Sequence, residues 1–205
     1  MWIRAIIVLI ASYLLGNLNG SVVMSGLFAH EDVRARGSGN AGLTNFVRNY
    51  GTVSAIGVVL IDVGKAAAAC LLGRFLLQSY GYGMEGMAVG AIGVSLGHDF
   101  PVFLGFRGGK GILCGATIGF FVDWRCGVLL LAVFGVTYLL TEYVSLGSVL
   151  ASLALILYMV LCYRSHPVAM VLIGFLGLLA IFMHRANLQR LRKGTEPKTK
   201  LRKRV

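Results

Sequence analysis

Stretches almost free of charge alternate along the chain with short polar clusters. The apolar runs cover residues 5–29, 51–73, 87–97, 112–122, 126–141, 143–163 and 168–183, and the only charged positions within them are Asp62 and Lys65. A helix rising 1.5 Å per residue needs roughly 20 apolar residues to cross a bilayer, a length that several of these runs reach. The pattern predicts an all-α, polytopic membrane protein with seven transmembrane helices. If the short runs at 87–97 and 112–122 are half-helices or re-entrant segments, the count becomes five. Either odd number puts the two termini on opposite sides of the membrane.

Composition sharpens this picture. Hydrophobic residues make up 57% of the 205, charged residues 13%, and mean hydropathy is +0.80. A water-soluble core of this size has no room for so much apolar surface. The net charge of +11 is unevenly placed, since nine basic residues and the single acid Glu196 lie between positions 185 and 205. Basic residues near helix ends stay on the cytoplasmic side, so the C-terminus is expected inside and the N-terminus outside. Counting back through seven helices puts residues 30–50, 107–111 and 141–145 on the cytoplasmic side as well. The positive excess is read as membrane orientation and lipid contact, not as a nucleic-acid surface. The expected organisation is one domain over residues 1–196 and a basic tail, 197–205, lying on anionic lipid. The four cysteines read as small apolar fillers, and no histidine stands at metal-ligand spacing from another ligand. No metal and no cofactor are expected.

Two polar clusters carry candidate chemistry. Residues 97–111 read Gly-His-Asp-Phe-Pro-Val-Phe-Leu-Gly-Phe-Arg-Gly-Gly-Lys-Gly, with three glycines around Lys110 just before an uncharged run. Backbone amides freed of side chains, a helix N-terminus and an ammonium together make a phosphate cradle. The nucleotide-binding Walker loop does not fit, because Leu104 stands where its first glycine belongs and Gly111 follows Lys110 instead of Ser or Thr. The second cluster, residues 34–49, offers Ser38, Asn40, Thr44 and Asn45 as neutral hydrogen-bonding groups and Arg48 as a two-pronged phosphate ligand. An ordinary turn-rich loop would also account for it. Asp62 and Lys65 stand three apart and so share a helix face; a structural ion pair and a direct substrate contact by Lys65 are both open. Asn17, Asn19, Ser145 and Ser148 are positioned to face a polar interior.

Three stretches together carry a family resemblance. They are Gly37-Ser38-Gly39-Asn40-x-Gly42-x-Thr44-Asn45 with Arg48; Gly97-His98-x-Phe100-Pro101-x-Phe103 leading to Gly108-Gly109-Lys110-Gly111; and His184-Arg185-x-Asn187-Leu188-x-Arg190-Leu191-x-x-Gly194-x-Glu196. In content and order they resemble the signature motifs of the acyl-phosphate-dependent glycerol-3-phosphate acyltransferases of the PlsY type, over nearly the whole chain. Ala41 stands where that family usually has proline, Leu43 where it has alanine, Ala66 where a glycine often follows the lysine, and Leu188 where isoleucine is frequent. These departures bear on stiffness and packing more than on chemistry.

The resemblance implies transfer of a fatty acyl group from acyl phosphate to the sn-1 hydroxyl of glycerol 3-phosphate, giving lysophosphatidic acid and phosphate, at the cytoplasmic face of a bacterial inner membrane. It also implies a functional link to the enzyme that supplies acyl phosphate. By matched position the catalytic set is Ser38, Arg48, His98 and Lys110. Lys110 with Gly108, Gly109 and Gly111 would hold the phosphate of glycerol 3-phosphate. Asn40 and Thr44 would join Ser38 and Arg48 around the acyl-phosphate group or the second phosphate, His184 and Asn187 would contact the glycerol end, and Asn45, Lys65 and Ser148 complete the substrate-binding set. Glu196 is expected to be structural, paired with Arg190 or Arg192. His98 is one candidate general base, with Asp99 beside it; the other proton acceptor is the substrate's own phosphate. The chain lacks the His-x-x-x-x-Asp pattern of the other major acyltransferase chemistry. A polyol-phosphate transporter is the alternative class, and it calls for inverted repeats that do not relate the Gly37 and Gly108 clusters.

Overall fold

The computed structural model describes residues 1–199, all of it helix, turn and loop. Ten α-helices follow one another: α1 (Trp2–Gly16), α2 (Gly20–Ala29), α3 (Leu43–Tyr50), α4 (Ala55–Gln78), α5 (Gly83–Asp99), α6 (Ile112–Val122), α7 (Trp124–Thr141), α8 (Val144–Cys162), α9 (Pro167–Met183) and α10 (Arg185–Arg192). Short 3-10 turns occupy Val33–Ala35 and Val102–Leu104. The chain divides into two compact units, Met1–Ile118 and Gly119–Val205.

Each apolar run becomes helical, but length separates them. Five segments are long and apolar enough to span: Trp2–Ala29, Ala55–Gln78, Gly83–Leu104, Trp124–Thr141 and Val144–Cys162. The helix pair α9 and α10, bent by 51°, makes a sixth if taken as one span. Helix α6 has 11 residues, about 16 Å at 1.5 Å per residue, against a hydrocarbon core of about 30 Å. The 87–97 run, short in the sequence, is extended at both ends into α5 and the turn that follows it.

In the first unit α5 is the central element, packed on both α1 and α4. Small residues make this approach possible. A Cβ on Gly90 would collide with the carbonyl of Ala69 on α4, and one on Gly97 with the carbonyl of Tyr13 on α1, so the backbones meet where only hydrogens intervene. Gly93 does the same against the Leu9 carbonyl and Ser12 on α1. In the second unit α8 packs between α7 and α9. Asp123 caps α7 by accepting from the Arg125 amide at 2.9 Å, and Pro167 opens α9 at a position where its missing N–H costs nothing. Large apolar side chains such as Leu60, Phe75, Leu139, Leu140, Leu161 and Val171 point outward, the surface that lipid tails require. All four cysteines are free thiols; Cys70, Cys114 and Cys126 are buried and Cys162 is exposed.

The tail differs from expectation where it is described. Lys198 pairs with Glu142 at 3.3 Å, the Thr199 amide donates to the Glu142 carbonyl, and Tyr138 Oη donates to the Thr199 carbonyl. Glu142 ends α7 in the left-handed region at φ 62°, which turns its carbonyl and side chain toward this strand of tail. Residues 197–199 are therefore docked on protein. Residues 200–205, the rest of the anticipated lipid-facing anchor, lie outside the described residues.

Candidate active site

The first apolar run breaks at Asn17-Leu18-Asn19, between α1 and α2. A break inside a membrane span leaves backbone groups without helical partners, and there each costs several kcal/mol unless another group satisfies it. Lys65 and Asp62, one turn apart on α4, supply the partners. Lys65 Nζ donates to the Leu18 carbonyl at 2.8 Å and the Gly16 carbonyl at 3.3 Å, while Asp62 Oδ1 accepts from the Gly20 amide at 3.2 Å. The two side chains pair directly at 2.7 Å, each almost fully buried. Asn19 caps α2 through the Val22 amide and donates to the Ala41 carbonyl. Asn17 accepts from the Phe103 amide, and so links the break to the loop after α5.

Lys65 is thereby withdrawn from substrate. Its ammonium has three hydrogens, and four acceptors surround it: Asp62 Oδ1, the two carbonyls and His98 Nδ1 at 2.8 Å. Since an ammonium can only donate, Nδ1 of His98 must accept, and its neutral ring carries hydrogen on Nε2. The carboxylate near His98 is Asp62, 3.7 Å from Nδ1, and not its sequence neighbour Asp99. The general-base reading of His98 is corrected accordingly: its one lone pair faces Lys65.

The glycine loop also departs from the expected cradle. The Gly109 amide donates to the His98 carbonyl at 3.0 Å and the Gly108 amide to the Asp99 carbonyl at 3.2 Å. These two amides are occupied by the end of α5. A Cβ on Gly108 would strike the His98 carbonyl, and one on Gly109 the His98 ring at Nε2. Glycine is required here for close approach. Gly111 is different, with φ 67° in the left-handed region, and it turns the chain from Lys110 into α6. Lys110 itself directly precedes this turn at the N-terminus of α6.

Within residues 33–49, Asn45 is a hub. It is buried at the start of α3; Nδ2 donates to the carbonyls of Val33, Arg36 and Asn40, all at 3.1 Å, and Oδ1 accepts from the Ser38 amide at 2.9 Å. With its amide saturated, Asn45 shapes the loop and is not a substrate ligand. Helix α3 buries Phe46 against Val33, Ala41, Ala55 and Val58, with Leu43, Val47 and Tyr50 packed around them. Thr44 and Arg48, four residues apart, share the other side; Ser38 and Arg48 are exposed, and Asn40, Thr44 and Lys110 half-buried.

Arg34 was not singled out by sequence reasoning. Its Nη1 donates to the carbonyls of Leu104 at 2.7 Å and Arg107 at 3.0 Å, while Nε and Nη2 grip both oxygens of Asp32. One guanidinium thus ties the 33–40 loop to the glycine loop. Its hydrogen bonds hold the Asp32 carboxyl below its ordinary pKa, and the Asp32 bonds in turn raise that of Arg34. The Asp32-x-Arg34 spacing was the only sequence signal. Nearby, Glu31 accepts from Tyr50 Oη at 2.8 Å and Arg36 Nε at 2.8 Å, and these two bonds lower its pKa.

In the second unit Glu196 gathers three elements. Its Oε1 accepts from Asn187 Nδ2 at 2.6 Å and Ser145 Oγ at 2.7 Å, and Oε2 from Arg190 Nε at 2.7 Å. Burial opposes its charge, yet the bonds from Asn187, Ser145 and Arg190 prevail and hold the carboxyl below its ordinary range. The structural role expected for Glu196 is what the geometry gives, with Arg190 as the partner. Asn187 has one amide hydrogen on that carboxylate. Ser148 donates to the Val144 carbonyl one turn back, at 2.9 Å, which leaves its oxygen only as an acceptor. His184 lies buried at the bend between α9 and α10, with Nδ1 2.8 Å from the Ala180 carbonyl. A carbonyl can only accept, so Nδ1 carries hydrogen.

A family model described as glycerol-3-phosphate acyltransferase matches residues 6–194. A glycerol-3-phosphate acyltransferase of Thermoanaerobacter sp. (strain X514) is 38% identical over 194 residues, 95% of each chain. One from Coxiella burnetii is 36% identical over 200 residues, 96% of this chain and 98% of the relative. Among solved structures, the glycerol 3-phosphate form of PlsY (YgiH), an integral membrane glycerol 3-phosphate acyltransferase, matches with a TM-score of 0.86 at 29% identity, covering 96% of both chains. The lysophosphatidic acid form of PlsY matches at 0.82. Fold, motifs and relatives agree: the chain belongs to the PlsY family of integral membrane glycerol-3-phosphate acyltransferases.

Proposed function

We propose that this acyltransferase takes its acyl group from acyl phosphate and delivers it to the sn-1 hydroxyl of glycerol 3-phosphate, releasing phosphate and lysophosphatidic acid, the first committed step of phospholipid synthesis. The observation that carries the reading is the Arg34 bridge, which holds the 33–40 loop and the glycine loop together in one unit. Two anionic reactants need two cationic groups; Arg48 lies on α3, which follows the 33–40 loop, and Lys110 lies in the glycine loop. The solved relative's glycerol 3-phosphate and lysophosphatidic acid forms support the same acceptor and product here.

In this reading Lys110 and the N-terminus of α6 take the phosphate of glycerol 3-phosphate, with Gly111 giving the turn. Ser38, Asn40, Thr44 and Arg48 take the acyl-phosphate group. An apolar groove of about 300 Å³ lined by Leu43, Val47, Ala55, Ile56, Val59 and Leu60 runs beside α3 and suits part of an alkyl chain. The acyl carbon bonds to the sn-1 oxygen as its bond to the phosphate oxygen breaks. Acyl phosphate has a good leaving group, so positioning and charge stabilisation are the protein's main contributions. The hydroxyl proton passes to the phosphate dianion of glycerol 3-phosphate, because His98 has no lone pair to offer. The site faces the cytoplasm of a bacterial inner membrane, within reach of the enzyme that supplies acyl phosphate.

The test is product analysis with purified protein in bilayers. Acyl phosphate plus glycerol 3-phosphate should give equal amounts of phosphate and 1-acyl product, and acyl-CoA should give none. Product from acyl-CoA at a comparable rate, or 2-acyl product, overturns the proposal, as does parental turnover in correctly inserted Lys110→Ala and Arg48→Ala variants.

A further inference from the structure

We propose that the buried Asp62, Lys65 and His98 form a positioning device that sets the place of the 108–111 loop, so that His98 acts on substrate affinity through the loop. This rests on the reading above that Lys110 and the start of α6 take the phosphate of glycerol 3-phosphate.

The network has two ends. At one, Lys65 and Asp62 close the α1–α2 break through the Gly16 and Leu18 carbonyls and the Gly20 amide. At the other, Lys65 fixes the His98 ring through Nδ1 at 2.8 Å. That ring fills the space against Gly109, where no Cβ fits. The His98 and Asp99 carbonyls then accept the Gly109 and Gly108 amides. Ring, carbonyl and loop are thus one packed assembly, and Lys110 is the next residue along it. Interiors packed at this density transmit displacement. Removing the acceptor at Nδ1 unties position 98 from Lys65, whose three hydrogens keep Asp62 and the two carbonyls, so the side chain there is free to shift and the loop moves with it.

A positioning role and a base role diverge in kinetics. A base is needed only as the proton moves, so its loss lowers kcat with KM unchanged; misplacing the phosphate site raises KM for that substrate. In His98→Leu we expect KM for glycerol 3-phosphate to rise about tenfold or more, while KM for acyl phosphate moves less than about threefold. His98→Asn, though smaller than the imidazole, puts Oδ1 where Nδ1 accepts and should bring KM back toward the parent, to within about threefold. The charge-balanced double variant Asp62→Asn/Lys65→Gln gives the same reading where His98→Leu does not insert, and it too should raise KM for glycerol 3-phosphate.

Equal losses of kcat in His98→Asn and His98→Leu at unchanged KM would make His98 the base and overturn the proposal. Parental kinetics in folded His98→Leu and in the double variant would overturn it as well. Lys110→Ala separates the two levels. If it raises KM for glycerol 3-phosphate and the network variants do not, the positioning device is wrong and the phosphate site stands. If Lys110→Ala leaves that KM unchanged, the assignment of the phosphate site itself has failed.

Discussion

Arg34 reaches the carbonyl of Leu104 at 2.7 Å across 70 residues of sequence while the same guanidinium is held by Asp32. The contact joins two loops directly, with no other element between them. Its geometry depends on a planar fork: one side meets a carboxylate, the other two carbonyls, and a lysine ammonium cannot serve both.

Arg34→Lys should therefore behave as a disruptive change. Hydrogen bonds to charged groups contribute about 1.5–3 kcal/mol each, and Arg34 is partly exposed, which reduces this. A fall in kcat/KM of roughly tenfold to a hundredfold is expected, with little change in melting temperature. Steady-state kinetics beside a thermal melt check it. Parental kcat/KM in Arg34→Lys would show that the bridge does not set the reaction geometry.

Helix packing gives a paired prediction. Gly97→Ala sets a methyl against the Tyr13 carbonyl on α1, whereas nothing lies within 4 Å of a Cβ on Gly174. Overpacking costs about 1–3 kcal/mol or more where backbone blocks the methyl. Gly97→Ala should lower the melting temperature in detergent or abolish recovery of folded protein, and Gly174→Ala should match the parent. Equal melts for the two would remove close helix approach as the reason for Gly97.

How much of this was visible beforehand follows from the kind of signal involved. The seven apolar runs were legible because charge is nearly excluded from them; six became single helices and the first became two, α1 and α2. The break at residues 17–19 was not, since Asn17-Leu18-Asn19 contains neither charge nor proline and the run reads through it. The Asp62–Lys65 pair was legible as a pair by spacing, but its partners lie 33 to 49 residues away in sequence. Gly108 and Gly109 were misread for a plain reason: a glycine that bares an amide and a glycine that avoids a clash are the same letter. Arg34 and Asn45 sat in the motif with the other polar residues, and only tertiary contacts distinguish a loop's scaffold from its ligands.

Orientation is open to direct labelling. The expected orientation, with the C-terminus cytoplasmic and an odd number of crossings, puts exposed Ser79 at the end of α4 on the outer side. In a Cys162→Ser background, Ser79→Cys should react with an impermeant maleimide in intact cells. Reaction only after the membrane is opened would reverse the orientation and move the proposed site to the outer face.

The Glu196 hub predicts a stability effect with a defined pH sign. Its carboxyl is lowered in the folded chain by bonds from Asn187, Ser145 and Arg190 that outweigh burial. A carboxyl lowered in this way stabilises fully above the unfolded value of about 4.3, and the contribution is lost as pH falls through the folded value. Glu196→Gln removes the charge while keeping the shape, so the Arg190 bond loses its charged acceptor and only a neutral oxygen faces Asn187 and Ser145. At neutral pH the variant should melt roughly 3–12 °C lower, from about 1.5–3 kcal/mol at about 2–4 °C per kcal/mol. The gap should close on acidification below about pH 4.3, because the parent then loses what the variant already lacks. A gap that stays constant through that range would mean the carboxylate is not what joins α8, α10 and the segment after them.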